Sequence, residues 1–155
     1  GHQILLPDGP RCGCGQRGCL EALASGTAIA RRAQAAVQEQ PNTKILELTD
    51  GQIDRVRSEH VLEAAQDGDP LGMSLMEEAA YYMGWGIANL VNILNPEIVL
   101  IGTIAVAGGD LVLDPIRRTA ANMAMQRPWE AVRIMPAELG EAVGDLGAIS
   151  LVLSP

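Results

Sequence analysis

Phenylalanine is missing from the sequence, and aromatic residues make up only 3% of its 155 residues. Hydrophobic residues still account for 48% of the chain, so we expect a folded core of aliphatic side chains and methionine, and no disorder. No apolar run approaches the roughly 20 residues that a membrane-spanning helix needs. No signal peptide opens the chain. We therefore expect one globular domain over residues 1–155 and no membrane partner.

Basic residues are also scarce, with 11 Lys and Arg against 19 Asp and Glu and a formal net charge of −8. Binding to nucleic-acid phosphates needs clustered basic side chains, so the charge argues against a nucleic-acid partner. The same excess of acid argues against an anionic membrane surface.

Cysteine is rare too, and the three cysteines present all lie between residues 12 and 19. An odd number cannot pair completely into disulfides, and tight clustering suits a metal better than a bridge. We therefore expect a reducing, cytoplasmic location.

The cysteine segment has the composition of a zinc loop. Zinc prefers four sulfur or nitrogen ligands in a tetrahedron, and glycines at residues 13, 15 and 18 let the backbone bend around an ion. The predicted ligands of a structural zinc, within a loop over residues 2–21, are His2, Cys12, Cys14 and Cys19. The alternative is a loop with three free or buried cysteines.

Two further features allow both a functional and an ordinary interpretation. Glu21 lies at a predicted helix start, where the helix dipole favours a carboxylate whether or not it binds a ligand. The small-residue run from Gly102 to Asp110 follows a predicted strand, where nucleotides often bind. An ordinary connection between strand and helix would give the same pattern.

The hydrophobic pattern predicts an α/β domain with right-handed crossovers. The predicted elements of the second half are a long helix at about 70–94, a buried parallel strand at about 97–102, a helix at 110–125, a strand at about 131–135 and a closing helix at about 142–153. Those of the first half are a strand at 2–6, a helix from 20 to 38 broken at 25–26 and capped by Thr27, a polar surface excursion at 41–56, and a short helix at 58–66, capped by Ser58 and carrying a solvated His60.

The motif Gly1-His2, followed by Cys12-Gly13-Cys14-Gly15-Gln16-Arg17-Gly18-Cys19-Leu20-Glu21, resembles the signature of the ROK family of repressors, open reading frames and kinases. Residues 24–26, 88–99 and 139–148 resemble that family as well, so the resemblance spans essentially the whole chain.

The resemblance implies the C-terminal half of an actin-like, ribonuclease H-like ATPase fold. It implies a glucokinase-like enzyme that transfers a phosphoryl group from ATP, with Mg²⁺, to a hexose or N-acetylhexosamine. In the family, the residues matching His2 and Glu21 contact the sugar. The loop that lies beside the nucleotide includes the positions of Gly102, Thr103 and Gly108.

The chain departs from the family pattern in two respects. Many members have three glycines where this sequence has Gly102-Thr103-Ile104. The family's general-base Asp and N-terminal domain lie upstream, so we expect no catalytic residue in this chain and no activity of the chain alone. An unpaired strand edge and the long apolar stripe predict a homo-oligomer, either a dimer or a tetramer.

Two other functions are weighed against the kinase. A ROK transcriptional regulator would use the same fold as a sugar-sensing effector domain, and the upstream sequence would distinguish the two. A zinc-knuckle nucleic-acid module is disfavoured by the acidic charge and by the lack of aromatic and basic residues beside the cysteines. The sequence does not identify the sugar. It does not identify the phosphoryl donor either, since some relatives accept polyphosphate.

Overall fold

A computed structural model describes residues 1–137 of the chain. The predicted closing helix at 142–153 and the family-like segment at 139–148 lie outside these residues. The helices are α1 (Leu20–Ala24), α2 (Gly26–Glu39), α3 (Lys44–Glu47), α4 (Ser58–Gln66), α5 (Pro70–Leu94), α6 (Ile104–Gly108), α7 (Asp110–Met123) and α8 (Gln126–Ala131). A 3-10 turn spans Ile53–Arg55, and the strands are β1 (Ile98–Ile101) and β2 (Arg133–Pro136).

Helix α5 is the centre of the domain and occupies the predicted range. The Asp69 carboxylate caps its first turn by accepting from the Gly72 N–H at 2.8 Å, and Asn95 ends it in the left-handed conformation with φ 44°. The helix packs against α4 and α7. The predicted stripe is buried along most of its length, but Leu90 and Leu94 near its end are 40% and 67% exposed.

The segment at 41–56 is not the polar surface excursion that its composition predicted. It forms α3 and the 3-10 turn, and it buries Ile45 and Val56 completely. Burial is possible because Thr43, itself buried, donates to the Asp69 carboxylate at 2.9 Å. Burial raises the pKa of the Asp69 carboxyl, but hydrogen bonds from the Gly72 and Lys44 N–H groups and from Thr43 outweigh burial and lower it.

The two strands form a parallel pair in which Ile98 lies opposite Arg133 and Ile101 opposite Pro136. The prediction of a buried strand is wrong for β1 within the described residues, since Ile98 and Leu100 are 41% and 58% exposed. Strand β2 begins two residues later than predicted because α8 continues to Ala131. None of the helices in the described part of the chain is long and apolar enough to cross a membrane.

Other local predictions at the helix starts and at the N-terminus need correction. The predicted strand at 2–6 is a single antiparallel bridge from Ile4 to Cys19, because a tight loop and not a strand lies opposite. The N-cap of α2 is Ser25, not Thr27, and its hydroxyl accepts from the Ala28 N–H at 3.2 Å. Helix α4 begins at Ser58 with Arg57 as its N-cap residue, and His60 Nδ1 accepts from the Arg57 N–H at 3.0 Å.

Candidate functional site

Backbone hydrogen bonds fold the cysteine segment into a compact loop. The N–H groups of Leu5 and Leu6 both donate to the Gly18 carbonyl, at 2.9 and 3.2 Å. The Cys12 N–H donates to the Gln16 carbonyl at 2.8 Å, which closes the turn that contains Cys12 and Cys14. Gly18 has φ +67°, a backbone conformation that residues other than glycine rarely adopt. The loop therefore depends on glycine at this position.

The four predicted metal ligands come together in this loop. One ligand atom from each of His2, Cys12, Cys14 and Cys19 lies within 4.8 Å of all the others. The Cys12 sulfur is 3.6 Å from His2 Nδ1, and the Cys14 sulfur is 3.6 Å from the Cys19 sulfur. Two sulfurs bound to one tetrahedral zinc ion lie about 3.8 Å apart, so the donor set and its spacing fit a structural zinc.

The electrostatics of the cluster agree with this fit. Burial, followed by hydrogen bonds with Cys14 and Cys12, raises the pKa of the Cys19 thiol to about 11. A hydrogen bond from the Gln16 backbone, followed by one with Cys12, lowers the pKa of the Cys14 thiol. The raised pKa of Cys19 disfavours its thiolate when no cation is bound. A bound cation would allow the thiolate form that metal binding requires.

A first cavity of about 610 Å³ opens beside the cluster. Glu21, on the first turn of α1, is exposed and lines this cavity together with His2. Among residues 1–137 the Glu21 carboxylate forms no ion pair, although its Oε2 lies close to Gly1. The other lining residues are Arg11, Cys12, Gly13, Cys14, Ala22, Ser25, Thr27, Ala28 and Arg31.

A second cavity of about 570 Å³ opens at the carboxyl end of β1. Gly102 and Thr103 line it, and Thr103 has φ +38°, the glycine-like conformation of a strained turn. Gly108 does not line it. A Cβ at Gly108 would lie 2.3 Å from Val112 Cγ2, so this glycine allows close packing of α6 on α7.

The two cavities are neighbours, because Ser25 lines both of them. The sequence did not single out Ser25, Arg31, Ser58 or Glu59 as site residues. Ser58 and Glu59 look like an ordinary helix start, and Arg31 looks like a solvated charge on α2. The packing of α2 against α4 brings Ser58 and Glu59 to the second cavity, and Arg31 lines the first cavity together with the cysteine loop.

The comparisons with known proteins all point to the same family. The model of the ROK family matches residues 1–154. A glucokinase from Streptomyces coelicolor is 35% identical over 158 residues, which cover 100% of this chain and 50% of that protein. The chain thus spans about half the length of the curated relatives that it matches.

Two solved structures are similar. One is a ROK family glucokinase from Streptomyces griseus in complex with glucose and AMPPNP, with a TM-score of 0.86, 36% identity, and coverage of 97% of this chain and 49% of that one. The other is a ROK family transcriptional regulator, a homolog of the E. coli MLC protein. Its TM-score is 0.76 and its identity 28%, and the match covers 88% of this chain and 33% of that one.

Proposed function

Because the chain belongs to the ROK family, we propose that it is the C-terminal half of an ATP-dependent kinase for hexose or N-acetylhexosamine sugars. The observation that carries this proposal is the pair of adjacent cavities that share Ser25. Direct phosphoryl transfer needs acceptor and donor held side by side in fixed register. The similarity to a glucokinase structure that holds glucose and AMPPNP supports this assignment.

In this proposal the first cavity holds the sugar. A carboxylate at Glu21 can accept hydrogen bonds from two hydroxyls at once, and such charge-assisted bonds are strong. His2 lines the same cavity and contributes a ring nitrogen to the metal cluster. Together they would orient the sugar for transfer.

The metal in this proposal is a structural zinc bound by His2, Cys12, Cys14 and Cys19. When bound, the ion would neutralise the thiolates and hold the loop in one conformation. The chain's own residues do the rest. The loop places His2 at the wall of the first cavity, and Cys19 directly precedes the helix that carries Glu21. The zinc therefore supports the sugar site without taking part in the transfer.

The second cavity in this proposal holds ATP with its Mg²⁺, beside Gly102 and Thr103. Gly108 supports this wall through packing. The general base and the other wall of the cleft would come from the upstream half of the protein. Phosphoryl transfer depends on positioning and charge stabilisation from both walls, so we expect this chain alone to be inactive.

The alternative function is a sugar-sensing effector domain, and the similarity to a ROK family transcriptional regulator favours it. Such a domain would use the first cavity in the same way. It would have no use for a nucleotide in the second cavity, so nucleotide binding distinguishes the two.

We also propose that the full-length protein is a homo-oligomer in the cytoplasm. The exposed apolar side chains Ile93, Leu94 and Leu100 are 77%, 67% and 58% exposed, which indicates surface that another subunit or the upstream half would cover. Light scattering of the full-length protein tests this, and a monomer would contradict it.

The Glu21→Gln change in the full-length protein should impair the use of sugar far more than the use of ATP. It keeps the size of the side chain but removes the charge, and a hydrogen bond to a charged group is worth about 1.5–3 kcal/mol. Steady-state kinetics with varied sugar and with varied ATP separate the two effects. Glu39→Gln is a matched control, because Glu39 is exposed at the far end of α2. An unchanged KM and kcat for sugar would show that Glu21 is an ordinary solvated residue.

A further inference from the structure

The second cavity has an apolar part and a polar edge. Leu62, Met83 and Ile104 supply apolar wall, whereas Ser58 and Glu59 at the start of α4 supply polar groups. Sites for cofactors are commonly apolar with a few placed polar groups that fix orientation. A nucleoside has matching parts, namely a flat base that suits the apolar wall and a ribose whose hydroxyls need an acceptor.

Glu59 is the acidic side chain that lines this cavity. It is exposed, and within the described part of the chain it forms no ion pair. Its carboxylate therefore has both oxygens available, and each can accept a hydrogen bond from a hydroxyl. The dipole of α4 also favours a carboxylate in the first turn, so the position of Glu59 at the cavity, and not its charge alone, points to a ligand.

The backbone that carries Glu59 is held in place on both sides. Ser58 Oγ lies 2.9 Å from the position that a Cβ on Gly26 would take, so the starts of α2 and α4 are in close contact. The Arg57 N–H donates to His60 Nδ1 at 3.0 Å, which fixes the first turn of α4. Because the backbone of this turn is already ordered, less conformational entropy is lost when the carboxylate binds a ligand.

We propose that Glu59 accepts hydrogen bonds from the 2′- and 3′-hydroxyls of the nucleotide ribose and thereby selects a ribonucleotide as the phosphoryl donor. This inference rests on the proposed function, because it concerns the nucleotide of the same reaction. In dinucleotide-binding folds a carboxylate accepts a hydrogen bond from the ribose 2′-hydroxyl. The charge makes both hydrogen bonds stronger than neutral ones.

Calorimetric titration of the full-length protein with ADP and with 2′-deoxy-ADP tests the proposal. We expect the unmodified protein to bind ADP about 10-fold more tightly than 2′-deoxy-ADP. Glu59→Gln should weaken ADP binding about 10-fold and reduce the preference for ADP to less than about threefold. Glu63→Gln is the matched control, since Glu63 is exposed one turn further along α4 and does not line the cavity. It should leave both affinities unchanged.

Several results would overturn the inference. They are no ADP binding by the full-length protein, no preference for ADP over 2′-deoxy-ADP, or a Glu59→Gln variant that keeps both the affinity and the preference. Thermal melts of both variants check that the fold is intact, and Glu59→Asp, which keeps the charge, should retain part of the preference. The two failures are distinguishable. Absence of ADP binding would overturn the proposed kinase function together with the inference, whereas sugar-dependent turnover of ATP without a preference for ADP over 2′-deoxy-ADP would overturn the inference alone.

Discussion

The Gly18→Ala variant is expected to lose the zinc ion that we propose the loop binds. Gly18 is buried and has φ +67°, and a Cβ added to it would lie 1.4 Å from the Leu6 carbonyl oxygen and 2.3 Å from the Leu6 carbonyl carbon. These are backbone atoms, so no flexible side chain can move aside. The Leu6 segment and the Gly18 turn must separate, and that breaks the hydrogen bonds that Leu5 and Leu6 donate to Gly18.

The separation reaches the metal cluster directly, because Cys19 follows Gly18 and His2 lies on the segment that must move. We expect the zinc content of chelator-washed protein, measured by emission spectroscopy, to fall from about one ion per chain to near zero. The number of free thiols found by titration should rise in parallel, since all three cysteines would lose their bonds to the metal.

Gly13→Ala is the matched control within the same loop. Gly13 lies between two of the proposed ligands, has no positive φ, and has no atom within 4 Å of an added Cβ. Its zinc content should stay at the level of the unmodified chain. Retention of zinc by Gly18→Ala, or absence of zinc from the unmodified chain, would contradict the proposed metal site.

The Gly84→Ala variant is expected to lose much of its stability. An added Cβ would lie 2.6 Å from the Ile116 carbonyl oxygen and 2.6 Å from Thr119 Cβ, because α5 and α7 are in close contact at this point. Overpacking of this kind typically costs about 1–3 kcal/mol. Alanine favours an isolated helix over glycine by about 1 kcal/mol, so intrinsic propensity alone predicts the opposite sign.

Denaturant unfolding of the unmodified and Gly84→Ala chains measures the difference in their free energies of unfolding. Ser74→Ala, at an exposed position of the same helix, is the control. The control should be neutral or slightly stabilising. A Gly84→Ala chain as stable as the unmodified one would show that α5 and α7 are not in contact as described.

The features that the sequence predicted well have strong local signals. The range of α5 follows from a 25-residue apolar periodicity bounded by Asp69 and Asn95. The clustering of His2, Cys12, Cys14 and Cys19 follows from their spacing, and their binding of zinc stays a prediction. Family membership followed from the same motif.

The features that were missed depend on packing between distant segments. The burial of Ile45 requires the hydrogen bonds of Thr43 with Asp69, which lies 26 residues further along the chain. Strand β2 begins later than predicted because α8 precedes it, with Trp129 packed against the core. No local sequence pattern predicts this contact. Glu59 is a candidate binding residue only because α2, α4 and the turn after β1 enclose one cavity.

Formation of ADP from ATP and Mg²⁺ on addition of glucose or another hexose, followed in a coupled assay, tests the central claim most directly. The full-length protein should form ADP only when a sugar is present, and the 155-residue chain alone should form none. A full-length protein that binds sugar but never forms ADP would instead support the sugar-sensing effector domain. Turnover by the 155-residue chain alone would contradict the claim that it supplies one wall of a cleft.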